Sequence, residues 1–200
     1  MTASSLSTAE RERAELADLL DDLGPDAPTC CAGWTTAHLA AHLVVRERRP
    51  VAMVGLGAQE LGVDTLGAWA HRLEDRLRTS TPFAGVVAQL RSGPPAWSPL
   101  AWPGARSFNV PELVIHHEDV RRAQLDWAPR TLSRQAQDSL WTPAQLFARR
   151  TMSRGGVLLR RSDSGAEKRI GEGKRTVEGE PMELLLWAAG RRDVARVRVS

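Results

Sequence analysis

Asn109-Val110-Pro111-Glu112-Leu113-Val114-Ile115-His116-His117-Glu118-Asp119-Val120-Arg121-Arg122 is the stretch around which the chain is organised. Its pattern predicts a helix capped by Asn109 and ending near Gln124. On such a helix Glu112 and His116 stand four residues apart, one above the other on a single face. A carboxylate and an imidazole so placed can share a metal ion once a third donor arrives from elsewhere. The best third donor is His42, in the amphipathic segment Thr35-Thr36-Ala37-His38-Leu39-Ala40-Ala41-His42-Leu43. One carboxylate and two imidazoles leave part of a divalent ion's coordination sphere open, which suits catalysis better than a purely structural role.

Composition narrows the field. Of 200 residues, 42% are hydrophobic and 26% charged, which is the balance of a soluble globular protein with enough chain for a sizeable core. The net charge of +3 does not argue for nucleic acid, because 27 basic residues are interleaved with 24 acidic ones. Runs such as Glu10 to Glu15 and Glu167 to Arg175 alternate sign and read as solvated surface. The two cysteines, Cys30 and Cys31, are adjacent and make no disulfide framework, which together with the absence of an apolar leader or a bilayer-length span gives a cytoplasmic expectation.

Local signals place the elements on either side. Ser7-Thr8-Ala9-Glu10 fits a capping box, followed by Leu16, Leu19, Leu20 and Leu23 at helical spacing until Gly24-Pro25. A second helix, capped by Thr35 or Thr36, runs to about Arg48 before Pro50, with His42 on its inward side. Val51 to Val63 reads equally as a short helix or a loop. A third segment capped by Asp64 or Thr65 carries Leu66, Trp69, Leu73 and Leu77 on one face, and Thr81-Pro82 starts another through Leu90. The loop from Ala96 to Ser107 carries Trp97 and Trp102, which have a better claim to a binding pocket than the remaining tryptophans.

Beyond Pro129 the period changes. A helix capped by Ser133 and kinked or interrupted at Pro143 precedes short strands at Val157 to Arg161, Glu167 to Ile170 and Arg175 to Glu178. Pro181 then starts a helix that Gly190 ends, and Val194 to Val199 alternates as a final strand. The order predicts a mostly α chain: a helical bundle over residues 1–128, then a small α+β domain over residues 129–200.

These residues together resemble a known family. Gly33-Trp34-Thr35-Thr36 with Leu39-Ala40-Ala41-His42, then Glu112 with His116 to Arg122, then Glu178-Gly179-Glu180-Pro181 with Leu184 to Trp187 and Gly190-Arg191, are similar to the mycothiol-dependent maleylpyruvate isomerases of the DinB-like metal-binding superfamily. The resemblance implies a DinB-like four-helix bundle followed by a sterol-carrier-protein-like α+β domain. It also implies a divalent metal ion, most often zinc, on His42, Glu112 and His116, and mycothiol as thiol cosubstrate. Isomerisation or S-transfer would proceed through a metal-bound thiolate on a small electrophile, with Arg191 as the catalytic arginine of the second domain. Trp97 and Trp102 are the candidates for contacting the thiol. The expected partners are small molecules, in a monomer or homodimer without nucleic acid or membrane.

Simpler readings stand beside each of these. Glu112 fits a capping box reaching back to Asn109, His42 fits a hydrogen-bonded core histidine, and His38 with His42 forms a rival i, i+4 metal pair. His117 points about 100° from His116 and reads as a supporting or surface residue. Glu118, Asp119, Arg121 and Arg122 read as salt-bridged surface, with Asp119 also able to orient a ligand imidazole. A non-catalytic DinB-like metal-binding protein with a stress or ligand-binding role is the alternative function.

Overall fold

In a computed structural model of the protein, residues 7–49, 64–102, 106–151 and 155–200 are described. The ambiguous segment from Val51 to Val63 and the side chain of Leu66 lie outside them. The chain forms two compact units, residues 1–127 and 128–200. Among the described residues it has seven α-helices and one four-stranded sheet, so the fold is mostly helical with a small α+β part at the C-terminus.

In the first unit, helix α1 (Thr8–Leu23) opens on the expected capping box. The Ser7 hydroxyl accepts from the Glu10 amide at 3.3 Å, and Glu10 accepts from the Ser7 amide at 2.9 Å. Gly24, at φ 75°, closes α1 in a conformation that L side chains resist. Helix α2 (Thr36–Arg48) is buried around most of its circumference, which its small residues Ala40 and Ala41 permit. Helix α3 spans Asp64–Ser80, α4 spans Phe83–Arg91, and a short 3-10 turn (Pro99–Ala101) precedes α5 (Arg106–Arg121). Leu16 and Leu20 from α1, Leu39 and Leu43 from α2, Val86, Val87 and Leu90 from α4 and Val120 from α5 make one core. Val45 and Ala70, with Trp69, Leu73 and Leu77 against them, seal α2 to α3.

Helix α5 departs from the expectation in both position and character. It begins at Arg106 rather than after Asn109, takes Pro111 into its first turns and ends at Arg121. Asn109 is therefore not its cap but a buried residue inside it, and the capping-box reading of Glu112 falls with it. Glu118, Asp119, Arg122 and His117 are buried too, so the surface reading of this end is corrected. Charged and polar groups are tolerated in such a setting only when paired. Asn109 donates to Glu47 and accepts from Arg46, Arg13 donates to the same Glu47 oxygen at 2.6 Å, and Arg122 reaches Glu118 at 2.6 Å. His117 Nδ1 is 3.0 Å from Glu12.

In the second unit, Ser133 caps α6 (Arg134–Thr151), and Pro143 sits within that helix without interrupting it. Strands β1 (Val157–Arg161), β2 (Glu167–Ile170), β3 (Thr176–Gly179) and β4 (Arg198–Val199) take the order β2-β1-β3-β4. β1 runs antiparallel to β2 (Val157 opposite Ile170) and parallel to β3 (Leu159 opposite Val177). β4 pairs antiparallel with β3 but is shorter than the alternation from Val194 predicts, because the amides of Val194 and Ala195 turn back to the Arg191 carbonyl. Gly156 is obligatory at the mouth of β1, since a Cβ there would meet the Ile170 carbonyl oxygen at 2.1 Å. Helix α7 (Pro181–Ala188) is buried throughout and packs chiefly on α6, where Gln137 accepts from the Met182 amide at 3.0 Å. No helix of the described residues is long and apolar enough to cross a membrane.

Glu47 is the acceptor shared by α1 and α5, and removing it strands a buried guanidinium. Glu47→Ala is expected to cost about 3–5 kcal/mol in unfolding free energy, read by denaturant titration. A loss below about 1 kcal/mol would show that the Arg13–Glu47–Asn109 cluster does not tie the helices together.

Candidate metal centre

α2 and α5 meet along a polar seam. At its centre His42 from α2 and Glu112 and His116 from α5 bring one donor atom each to within 4.8 Å of one another. His116 Nε2 lies 3.6 Å from Glu112 Oε2, and the rings of His42 and His116 are 5.2 Å apart, nearly edge to face. Trp34, from the loop before α2, flanks His42 at 5.2 Å. Arg46 Nε stands 3.6 Å from Glu112 Oε2.

Each imidazole is held from behind. His42 Nδ1 is 2.8 Å from Glu74 Oε1 on α3, and His116 Nδ1 is 3.0 Å from Asp119 Oδ2, one turn further along α5. A carboxylate is an acceptor only, so both Nδ1 atoms carry hydrogen, and in each ring once neutral Nε2 is the nitrogen left to coordinate. Histidines that ligate metals are commonly oriented by such a bond from the other ring nitrogen. Two imidazoles of matched tautomer facing one carboxylate therefore fit a divalent cation such as zinc.

Electrostatics follow from the same contacts. Burial would push the Glu112 carboxyl upward, but the close approach of His116 and the charges of Arg46, His116 and His42 outweigh it and hold it down at about 2. Burial opposes charge on His116 as well, yet the neighbouring Asp119, which accepts from it, together with Cys31 and Glu112 beside it, keeps it well above the ordinary histidine value. For His42 burial prevails over the bond to Glu74, and its pKa is lowered.

The remaining candidates lie as follows. His38 does not join the donor set: its Nδ1 accepts from the Thr35 amide at 3.2 Å, so it closes the N-terminus of α2 where a glutamate often does. Cys31 is closer to the site than its sequence suggests, with Sγ donating to Asp119 Oδ2 at 3.1 Å and 4.0 Å from His116 Nδ1. Cys31, His116 and Asp119 thus also come within 4.8 Å, as do Glu12, Glu15 and His117 on the α1 side of α5. In both of those sets the histidine's Nδ1 is already bonded to a carboxylate. Trp97 is 61% exposed and lines a groove of about 390 Å³ with Val44, Val45, Arg48, Leu73 and Leu77, a lining that includes none of the three donors. Trp102 follows the 3-10 turn and is 59% exposed. Arg191 lies just beyond α7 in the second unit, its Nη1 donating to the Ala189 carbonyl at 2.8 Å. Glu74 and His71 were not singled out in the sequence, although their spacing of three on a helix puts them side by side.

Residues 6–121 match the family model described as the mycothiol maleylpyruvate isomerase N-terminal domain, which defines the class of protein. The chain belongs to that family. A solved structure described as the crystal structure of the mycothiol-dependent maleylpyruvate isomerase is similar in fold, with a TM-score of 0.56 and 19% identity over 96% of this chain and 88% of that one. No curated protein matches the chain.

The pH dependence of the protein without metal follows from Glu112. A carboxyl held below its unfolded value contributes stability that is present above 4.5 and lost as pH falls toward about 2. The loss expected across that window is on the order of 3 kcal/mol. Glu112→Gln should remove this part of the acid limb when unfolding is followed by denaturant titration at stepped pH. Parallel acid limbs in the two proteins would contradict the assigned environment of Glu112.

Proposed function

We propose that the protein is a metal- and thiol-dependent isomerase that uses mycothiol on a small unsaturated acid of the maleylpyruvate kind. The observation that carries this reading is the convergence of His42, Glu112 and His116, with each imidazole backed by a carboxylate, in a chain of the mycothiol maleylpyruvate isomerase family. The similar solved structure, whose description is that of a mycothiol-dependent maleylpyruvate isomerase, supports the same reading through its fold.

His42, Glu112 and His116 would hold the ion, most simply zinc, and its chemistry is to keep a bound thiol sulfur deprotonated at neutral pH. The reaction then needs addition of the thiolate to a conjugated double bond, rotation about the resulting single bond, and expulsion of the thiolate as the double bond reforms trans. Thiol is regenerated, so it acts as a cosubstrate that is not consumed; a reaction that stopped at the adduct would be S-transfer. Within this scheme the chain's residues bind and orient. Glu74 and Asp119 fix the two imidazoles, and Arg46 balances the charge of Glu112. Arg191 is assigned to a carboxylate of the substrate, for which a guanidinium is the natural partner.

The test has three readouts on purified full-length protein. His42→Ala is expected to abolish stoichiometric zinc, mycothiol is expected to alter the visible spectrum of the cobalt-substituted protein, and Arg191→Ala is expected to lower turnover of maleylpyruvate at least tenfold with metal content unchanged. Full metal retention in His42→Ala would remove that histidine from the centre. A cobalt spectrum indifferent to mycothiol, with no turnover, would leave a metal-binding protein without this catalysis. Wild-type turnover in Arg191→Ala would take that residue out of the reaction.

A further inference from the structure

The donors of the proposed centre come from α2 and α5, yet the residue that decides how His42 presents itself comes from α3. We propose that Glu74, braced by His71, is a positioning residue that selects the tautomer of His42 and so makes α3 part of the metal centre. This rests on the metal reading above and deepens it.

The argument is one of donors and acceptors. Both carboxylate oxygens of Glu74 are engaged, Oε1 with His42 Nδ1 at 2.8 Å and Oε2 with His71 Nδ1 at 3.0 Å. Because neither oxygen can donate, the hydrogen of a neutral His42 must sit on Nδ1, and the lone pair is left on Nε2. Glu74 and His42 are both close to fully buried, so water offers little competition for that bond. The ring of His42 is also confined, with Trp34 at 5.2 Å on one side and His116 at 5.2 Å on another. Packing thus fixes where the imidazole is, and Glu74 fixes which nitrogen is free.

His71 completes the device. Its side chain is 44% exposed and lines a recess of about 170 Å³ with Trp34, His38, Ala41, Asp75 and Arg78. By engaging Oε2 it prevents the carboxylate from rotating away from His42. The two histidines of the centre therefore differ in dependence. His116 takes its carboxylate from the same helix, three residues on, whereas His42 takes its own across an interface. That interface is the seal of Val45 against Ala70 and Leu73. The centre is thereby coupled to the packing of α3 on α2.

The experiment combines nitrogen-15 histidine NMR of the full-length protein before metal is added with zinc affinity measured against a chelator. Wild type is expected to show His42 with hydrogen on Nδ1. Glu74→Ala should lose that single tautomer and bind zinc about 10–100-fold more weakly. Glu74→Gln keeps the size and one acceptor oxygen but not the charge, and should fall between the two. His71→Ala should give a smaller loss than Glu74→Ala. A wild-type His42 carrying hydrogen on Nε2, or Glu74→Ala with wild-type tautomer and zinc affinity within twofold, overturns the proposal. Should Glu74→Ala not fold, Glu74→Gln carries the test, and wild-type affinity there overturns it. If no variant binds zinc, wild type included, the metal reading fails, and the tautomer measurement still decides the role of Glu74.

Discussion

A helix buried on nearly every side cannot carry five polar side chains unless each finds a partner, and α5 carries Asn109, His116, His117, Glu118 and Asp119 in that condition, with Arg122 buried just past its end. The surrounding elements are arranged by that demand. α1 supplies Glu12 for His117, α2 supplies Glu47 and Arg46 for Asn109, and the loop before α2 supplies Cys31 for Asp119. Even the backbone takes part, with the Cys30 amide donating to the Asp119 carbonyl at 2.8 Å. Leucine packing closes the bundle, but the polar partners fix which residues of α5 face which neighbour.

From this follows the difference between the two ends of the seam. Toward the start of α5, Asn109 and Arg13 both donate to Glu47 Oε1 and form a structural cluster, in which Arg13 Nε and Glu47 Oε2 are buried without a hydrogen-bond partner. One turn on, Glu112 and the two imidazoles bring one donor atom each to within 4.8 Å of one another, with His116 Nε2 3.6 Å from Glu112 Oε2, too far for a good hydrogen bond and close enough to share a cation. The same economy of pairing therefore produces a structural cluster and a candidate ligand set on adjacent turns.

Much of this was legible in the sequence, and for physical reasons. The i, i+4 spacing of Glu112 and His116 survives any shift of helix boundaries, so those donors were identifiable although α5 starts at Arg106 and not at Asn109. Ser7 and Glu10 announced α1 because a capping box is a local device. Legibility failed wherever a role depended on a distant partner. Glu74 resembles any helical surface glutamate until α3 packs on α2, and Glu118 and Arg122 resemble a surface ion pair until burial is known. The i, i+4 spacing of His38 and His42 offered a rival metal pair, and His38 instead closes the N-terminus of α2, because an imidazole at the third helical position can accept from the capping residue's amide. The final alternation from Val194 overstated β4, since Arg191 draws the preceding residues into a turn. Residue types fixed by local spacing are readable; those fixed by tertiary pairing are not.

The central claim is that one carboxylate and two Nε2 atoms form a ligand set that leaves room for sulfur. X-ray absorption at the zinc edge of the zinc-loaded protein, with and without mycothiol, examines it most directly. The account predicts two imidazoles and only oxygen or nitrogen neighbours at rest, with one sulfur neighbour appearing when mycothiol is added. A sulfur already present in the resting spectrum and lost in Cys31→Ser, or an unchanged spectrum with mycothiol, would contradict it.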